Sequence, residues 1–484
     1  MKNILITFCF LLSLAAHSQQ QITLDQAIEI AQKKSPEYKA LINQNQASYW
    51  RYRNFKASFL PQLRLDATLP SYSNAINRLT NDQGEDIFVQ TNQSRLQGDL
   101  SLNQNLAFTG GTLSLRSQVE RVDLFANDAT RFAVIPFSIN YRQNSIFYNE
   151  FKWIQRIEPL IYEEAKRDFI EGMEDISLNT TRRYFALLKA QVQSKIAQSN
   201  FSNQDTLFQI SRGRFKMGKI AENDLLQIEL SVLNSKNEVT TNQIDIKRTS
   251  QNLSRYLDLE TENLLLNTPK ELSTFTVTVE KALEEAKSNR KAVIEFRRRR
   301  LQAEQDVAEV RGNNRLQLRL EANFGVSQQG AVFNDLFQDY NQQQSVSVSV
   351  GIPILDWGVS KSRRKLVEAN KDLVNTNVEQ DEQEFEQEIY LHTLNWQNQR
   401  SFLEIAKKAQ EIALKRYEIT KKRFILGKIT ITDLNIALQE KDRAALTYLN
   451  SLEKFWTDYY TLRRLTLYDF IKNEKIEVAD LIYD

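Results

Sequence analysis

The stretch GRFKMGKIAENDL, residues 213–225, returns 209 positions later as KRFILGKITITDL, residues 422–434. The match is gap-free. It pairs Arg214 with Arg423, Phe215 with Phe424, Gly218 with Gly427, Lys219 with Lys428, Ile220 with Ile429, Asp224 with Asp433 and Leu225 with Leu434. Two further correspondences lie at an offset of 255: ITLDQAIEIA from Ile22 with VTVEKALEEA from Val277, and QLRLDA from Gln62 with QLRLEA from Gln317. A long, fixed repeat of this kind marks a duplicated module rather than a short-period solenoid, so each local structure must be built twice. The offset falls by 46, from 255 to 209, which places extra residues in the first copy between Ala67 and Ser138.

Most of each copy reads as helix. Proline is absent between Pro159 and Pro269 and again after Pro353, and the chain holds 13 glycines, so little interrupts two very long stretches. The segment from Phe151 to Gly218 would span on the order of 100 Å as a helix, with Pro159 expected to kink or restart it near its beginning. Past the turn, Leu225, Val232, Val239, Ile246 and Leu253 recur every seven residues, as do Leu438, Ala445, Leu452 and Tyr459. These are coiled-coil seams. Gly218 and Gly427 then sit at the tips of two antiparallel helical hairpins, each glycine supplying a left-handed C-terminal residue.

Between helices the period changes to two. Leu63, Leu65, Ala67 and Leu69 alternate with polar residues; so do Leu316, Leu318, Leu320, Ala322 and Phe324, and SVSVSVGI around Val346, Val348, Val350 and Ile352, with FSINY at Phe137 as its counterpart. Strict alternation predicts strands with one apolar and one polar face. A soluble sandwich and a transmembrane barrel both satisfy it. The polar stretches from Pro70 to Gln93 and from Ser327 to Gln344 are expected to be long outer loops. Alternating runs around Gly110 and Gly111 predict an added hairpin at about 96 to 122, which accounts for the extra residues.

The first residues, a charged start followed by an apolar run from Ile4 to Ala16 and AHSQQQ, read as a signal peptide over 1–18. Cys9 is the sole cysteine and falls within it, without a lipoprotein box, so neither lipid anchor nor disulfide is expected. No apolar run reaches the roughly 18 residues of a membrane helix. With 63 basic and 61 acidic residues, charge points to neither nucleic acid nor an acidic surface. Beyond the signal, one histidine, His392, rules out a His/Cys zinc site within one chain and is expected to be a packing residue. No phosphate loop occurs, and the basic run Arg297–Arg300, flanked by Glu295, Glu304 and Asp306, reads as a solvated helix face. No catalytic constellation and no cofactor or metal site is expected; the chain is not read as an enzyme.

At the doubled RFxxGKIxxxDL turn, the QLRL strand starts, and the exit PILDWG at Pro353–Gly358, answered loosely by NSIFYN at Asn144–Asn149, the sequence resembles the outer-membrane efflux protein family, the TolC-type exit ducts. The resemblance covers nearly the whole mature chain. It implies an α+β membrane protein in which a homotrimer shares one transmembrane β-barrel in outer-membrane lipid and one periplasmic α-helical tunnel, whose tips meet a periplasmic adaptor and an inner-membrane pump. It implies a passive duct for efflux or type I secretion, with Arg214, Phe215, Gly218, Lys219, Arg423, Phe424, Gly427 and Lys428 as adaptor contacts. Asp224 and Asp433 would line or latch the pore entrance, where clustered carboxylates raise one another's pKa. Phe424 and Ile429 stand where the best-known members carry Tyr and Arg, and Ile436 at the second acidic position, so the latch is a different set of residues. The family pattern is four strands per chain; the extra hairpin would make six. A periplasmic coiled-coil adaptor or structural protein of an envelope complex is the competing reading, and a stalked hydrolase or adhesin a weaker one.

The expected organisation is a first repeat over 19–259, with strands at about 60–143 and a helical hairpin at about 151–257. A second repeat covers 260–466, with strands at about 314–353 and a hairpin at about 359–466. A tail occupies 467–484.

Overall fold

A computed structural model describes residues 20–80, 84–260, 263–272, 275–314 and 316–477. The expected signal peptide and the last part of the tail lie outside these residues. In chain order the elements are β1 (Gln20–Ile22), α1 (Leu24–Lys34), α2 (Pro36–Ala57), β2 (Gln62–Thr80), β3 (Asp86–Leu106), β4 (Gly111–Leu124), β5 (Ala129–Gln143), α3 (Glu150–Lys216), α4 (Glu222–Tyr256) and β6 (Leu264–Leu266). There follow α5 (Val279–Asn289), α6 (Lys291–Asn313), β7 (Gln317–Gly330), β8 (Asn341–Gly351), α7 (Val359–Ile425), α8 (Ile431–Thr466), β9 (Tyr468–Asp469) and β10 (Glu474–Lys475). The chain divides into two units: a sheet-bearing unit of Gln46–Ala165 and Lys291–Gln383, and a helical unit of the remainder.

In the sheet-bearing unit six antiparallel strands pair in the order β2-β3-β4-β5-β7-β8. The first copy therefore supplies four strands and the second two, which answers the strand count left open by the sequence. Most of the segment expected as a loop from Pro70 to Gln93 is strand, residues 70–80 in β2 and 86–93 in β3: the two pair from Gln62↔Asn103 out to Thr80↔Asp86. Similarly the connection between β7 and β8 shrinks to residues 331–340 with a short 3₁₀ turn at Phe333–Phe337. Between Pro70 and Gln93 the alternating signal breaks because the register shifts between Thr68 and Ser71 and apolar residues fall on both faces, Tyr72, Ile76 and Phe88 on one and Ile87 and Val89 on the other, while the backbone ladder continues. α3 runs through Pro159 as one continuous helix, so of the expected kink or restart the restart does not occur. The proline lies ten positions into a helix of 67 residues, where one lost backbone bond is outweighed by its neighbours.

The RRRR run holds this unit together. Arg298 forms a bidentate pair with Glu164 at 2.6 and 3.2 Å, Arg299 reaches Asp381 at 2.5 Å, and Arg300 grips Glu382 with two bonds of 2.8 Å. The run thus ties α6 to α3 and α7 rather than facing solvent unpaired.

In the helical unit, the 255 offset is visible as paired helix starts. Thr23 caps α1 with a full capping box to Gln26, and Thr278 accepts the Lys281 N–H at the start of α5. β1 pairs with β6 in parallel. The hydroxyl of buried Tyr184 donates to the carbonyl of Asn267 at 2.6 Å and lies 2.9 Å from that of Ile22, pinning this pair to α3. On α8, Leu452, Phe455, Trp456, Tyr459 and Tyr460 are buried, and Arg463 bonds Glu174 twice, at 2.8 and 2.9 Å. His392 packs here with Nε2 2.8 Å from the Asp458 carbonyl, and burial holds its pKa below the usual value. No cluster of three potential metal ligands occurs among the described residues.

Candidate functional site: the hairpin tips and the two-faced sheet

Both tips close the same way. α3 ends at Lys216, Gly218 takes φ +69°, its N–H reaches the Phe215 carbonyl at 2.8 Å, and the Lys219 N–H reaches back to the Arg214 carbonyl at 2.9 Å. At the second tip Gly427 takes φ +70°, with matching bonds from Gly427 to Phe424 at 2.9 Å and from Lys428 to Arg423 at 3.0 Å. The long reach-back bond to a residue five positions earlier is the Schellman closure, which needs a left-handed residue and hence favours glycine. A Cβ on either glycine would meet nothing within 4 Å, so backbone conformation, not space, demands glycine.

The helix starts differ. Thr430 caps α8: its hydroxyl accepts the Asp433 N–H at 3.2 Å, and the Asp433 carboxylate accepts the Thr430 N–H at 3.1 Å and hydroxyl proton at 2.8 Å. Its counterpart, Ala221, offers no side-chain cap to α4. Asp433 is therefore held below the ordinary carboxylate pKa, first by the Thr430 side chain and then by its backbone N–H, with Arg423 adding attraction. The expected upward shift concerns carboxylates of three copies around a pore; within the single chain the direction is downward. Asp224 lies half-buried in the first turn of α4.

The two tips pack on each other through Leu207, Ile228, Tyr417, Phe424, Ile431 and Leu434. Arg214 crosses between them: its guanidinium donates to the carbonyls of Phe424 at 3.5 Å and Ile425 at 2.5 Å, and sits 5.9 Å from the Phe424 ring. A cation at the end of α7 also suits the helix dipole. Two expected adaptor contacts thus have internal duties. Phe424 is 7% exposed and belongs to the tip core, whereas its twin Phe215 is 39% exposed. The outward surface instead includes two residues that sequence reasoning missed, Met217 at 62% and Leu426 at 67% exposure. Both directly precede a tip glycine, an apolar recurrence hidden because the residues are not identical. Lys219, Arg423 and Lys428 are also exposed. Between the tips lies a cleft of about 510 Å³ lined by Ser211, Arg214, Lys219, Asp224, Phe424 and Thr430, among others.

The sheet has two chemically distinct faces. One register row reads Leu63, Leu102, Leu115, Ile139, Phe324 across five strands; the adjacent row reads Arg64, Ser101, Arg116, Ser138. The apolar face stays exposed. On the polar face Arg95 pairs with Glu120 at 2.9 Å, Arg142 with Glu321 at 3.1 Å, and Arg116 with Asp99. Among the described residues β2 and β8 each have one unpaired edge, so the sheet is open there.

A two-faced antiparallel sheet joined to two long helical hairpins with glycine tips defines the fold of the TolC-type outer-membrane channels. Residues 278–466 match the outer membrane efflux protein family and carry its sequence pattern. Among solved structures, the Campylobacter jejuni CmeC outer membrane channel is 15% identical with a TM-score of 0.66, over 94% of this chain and 87% of that one. The outer membrane protein VceC from Vibrio cholerae is 13% identical with a TM-score of 0.65, over 94% and 97%. The Neisseria gonorrhoeae MtrE outer membrane channel is 12% identical with a TM-score of 0.58, over 92% and 88%. We found no curated protein sequence that matches it.

Proposed function

We propose that the protein is an outer-membrane efflux duct: a passive channel whose sheet forms part of a barrel in the outer membrane and whose helical hairpins extend into the periplasm. The observation that carries this is the sheet, which exposes an apolar face and, among the described residues, leaves both edges unpaired. Open edges and exposed apolar rows are costly in water; lipid and strand pairing between copies remove both costs. A homotrimer that closes the barrel fits this geometry. It also fits α7, where Ile405, Ile412 and Ile419 recur every seven residues on a face the single chain leaves exposed. Adaptor docking belongs to the tips, with Phe215, Met217, Leu426, Lys219, Arg423 and Lys428 presented outward, Gly218 and Gly427 shaping the turns, and Arg214 and Phe424 supporting from within. Asp224 and Asp433 stand at the pore entrance, and an inner-membrane pump supplies the energy.

The test uses single cysteines at Gly84, in the β2–β3 connection, and at Lys219, at the first tip, labelled in intact cells with a membrane-impermeant maleimide. Labelling at 84 and not at 219 is the expected result. Labelling of neither until the outer membrane is broken would favour a periplasmic adaptor-like protein.

A further inference from the structure

The hairpin β3–β4 has no counterpart in the second repeat, where the strand matching β2 pairs directly with the strand matching β5. Such an insertion could fold over a loop or hang beside the sheet. Instead it is spliced into the middle of the ladder, pairing with β2 on one side and β5 on the other. Its side chains obey the same division as the rest: Leu96, Leu100, Leu102, Leu113, Leu115 and Val119 share the apolar face. Asp99, Arg116, Arg95 and Glu120 form cross-strand ion pairs on the polar one. No helix is attached to this pair. Its turn is held by three side-chain bonds to carbonyl oxygens: Asn149 to Ala107 at 2.8 Å, Gln143 to Thr109 at 2.8 Å, and, beside the turn, Asn105 to Ser58 at 3.0 Å.

Resting on the trimeric duct reading above, we infer that β3–β4 is a wall element that widens the exit, so that the barrel passes bulkier hydrated cargo than a channel with four strands per chain. Six strands per chain close a trimer with eighteen in place of twelve. Diameter grows roughly linearly with strand number, so the lumen is about 1.5-fold wider. The polar, ion-paired face of the inserted strands lines that passage. Selection by size is thereby moved away from the exit and toward the helical entrance.

Single cysteines at Leu100, Ser101, Leu102 and Asn103 in β3, with Val348 and Ser349 in β8 as reference, are labelled in intact cells by an impermeant maleimide. The expected pattern is labelling at 101, 103 and 349, and protection at 100, 102 and 348. Alternation in β8 with uniform labelling in β3 would overturn the inference and leave the duct reading standing; no alternation in either strand would sink the duct reading itself. Maleimide polymers of graded size, applied to the Ser349→Cys protein, then measure the width. Their cut-off radius should exceed by about 1.5-fold that of a family channel with four strands per chain carrying a cysteine at the equivalent register. An equal cut-off would refute the widening even if the hairpin lies in the wall.

Discussion

Gly218 and Gly427 face open space and still cannot be replaced freely, because their backbones sit in the left-handed region. Valine at either position costs roughly 1–2 kcal/mol of turn stability through the clash of its Cβ with the following carbonyl. The double variant Gly218→Val, Gly427→Val should lose efflux while still assembling, as read by a transport assay beside native electrophoresis; full efflux would remove the tips from docking. At the helix starts, Thr430→Ala should weaken the second tip by about 1 kcal/mol, and Ala221→Thr should strengthen the first by a similar amount. Hydrogen exchange of the first-turn amides reads both. Because Asp433 is lowered in the folded chain, its capping contribution is present above the unfolded carboxylate value and is lost as pH falls through the folded one. Exchange at this turn should therefore be insensitive to protonation through the neutral range. A titration of the turn near neutrality would show that neighbouring carboxylates govern Asp433 instead.

Among the elements, the inserted hairpin depends on few side chains for its attachment. Asn149→Ala and Gln143→Ala each remove a partly buried bond to the β3–β4 turn, worth about 1 kcal/mol apiece. Together they should lower the thermal midpoint of the sheet-bearing unit, followed by circular dichroism, without altering the tip hairpins. The helical seams behave differently along their length. Leu253 and Leu452 are fully buried, while Leu225, Val232, Val239 and Ile246 are half-buried, their coiled-coil neighbours including Ser235 and Asn242. The heptad spacing was legible in the sequence; its depth was not, because burial depends on which helices lie alongside.

For the whole molecule, the exposed heptad stripe of α7 carries the expectation of assembly. Ile405→Asp with Ile412→Asp places charges on that stripe and should leave the chain monomeric by light scattering in detergent, since an unpaired charge is excluded from a packed helix seam. Persistent trimers would assign the stripe to another partner.

The sequence by itself determined what depends on local rules: a glycine wherever the backbone must turn left-handed, strands wherever water lies on one side only, and helices wherever nothing interrupts them. It missed the strands between Pro70 and Gln93 because the register shift after Thr68 and apolar residues on both faces break the period of two. The tertiary structure alone decided the questions that involve distant neighbours. Identical RF dipeptides end with Phe215 outside and Phe424 inside, because Leu207, Ile228 and Ile431 cover only the second. Arg299 and Arg300 find their carboxylates 82 residues away. The hairpin β3–β4 becomes part of the sheet because its backbone ladder is completed by β2 and β5, and pairing partners are chosen by three-dimensional proximity, which no local pattern encodes.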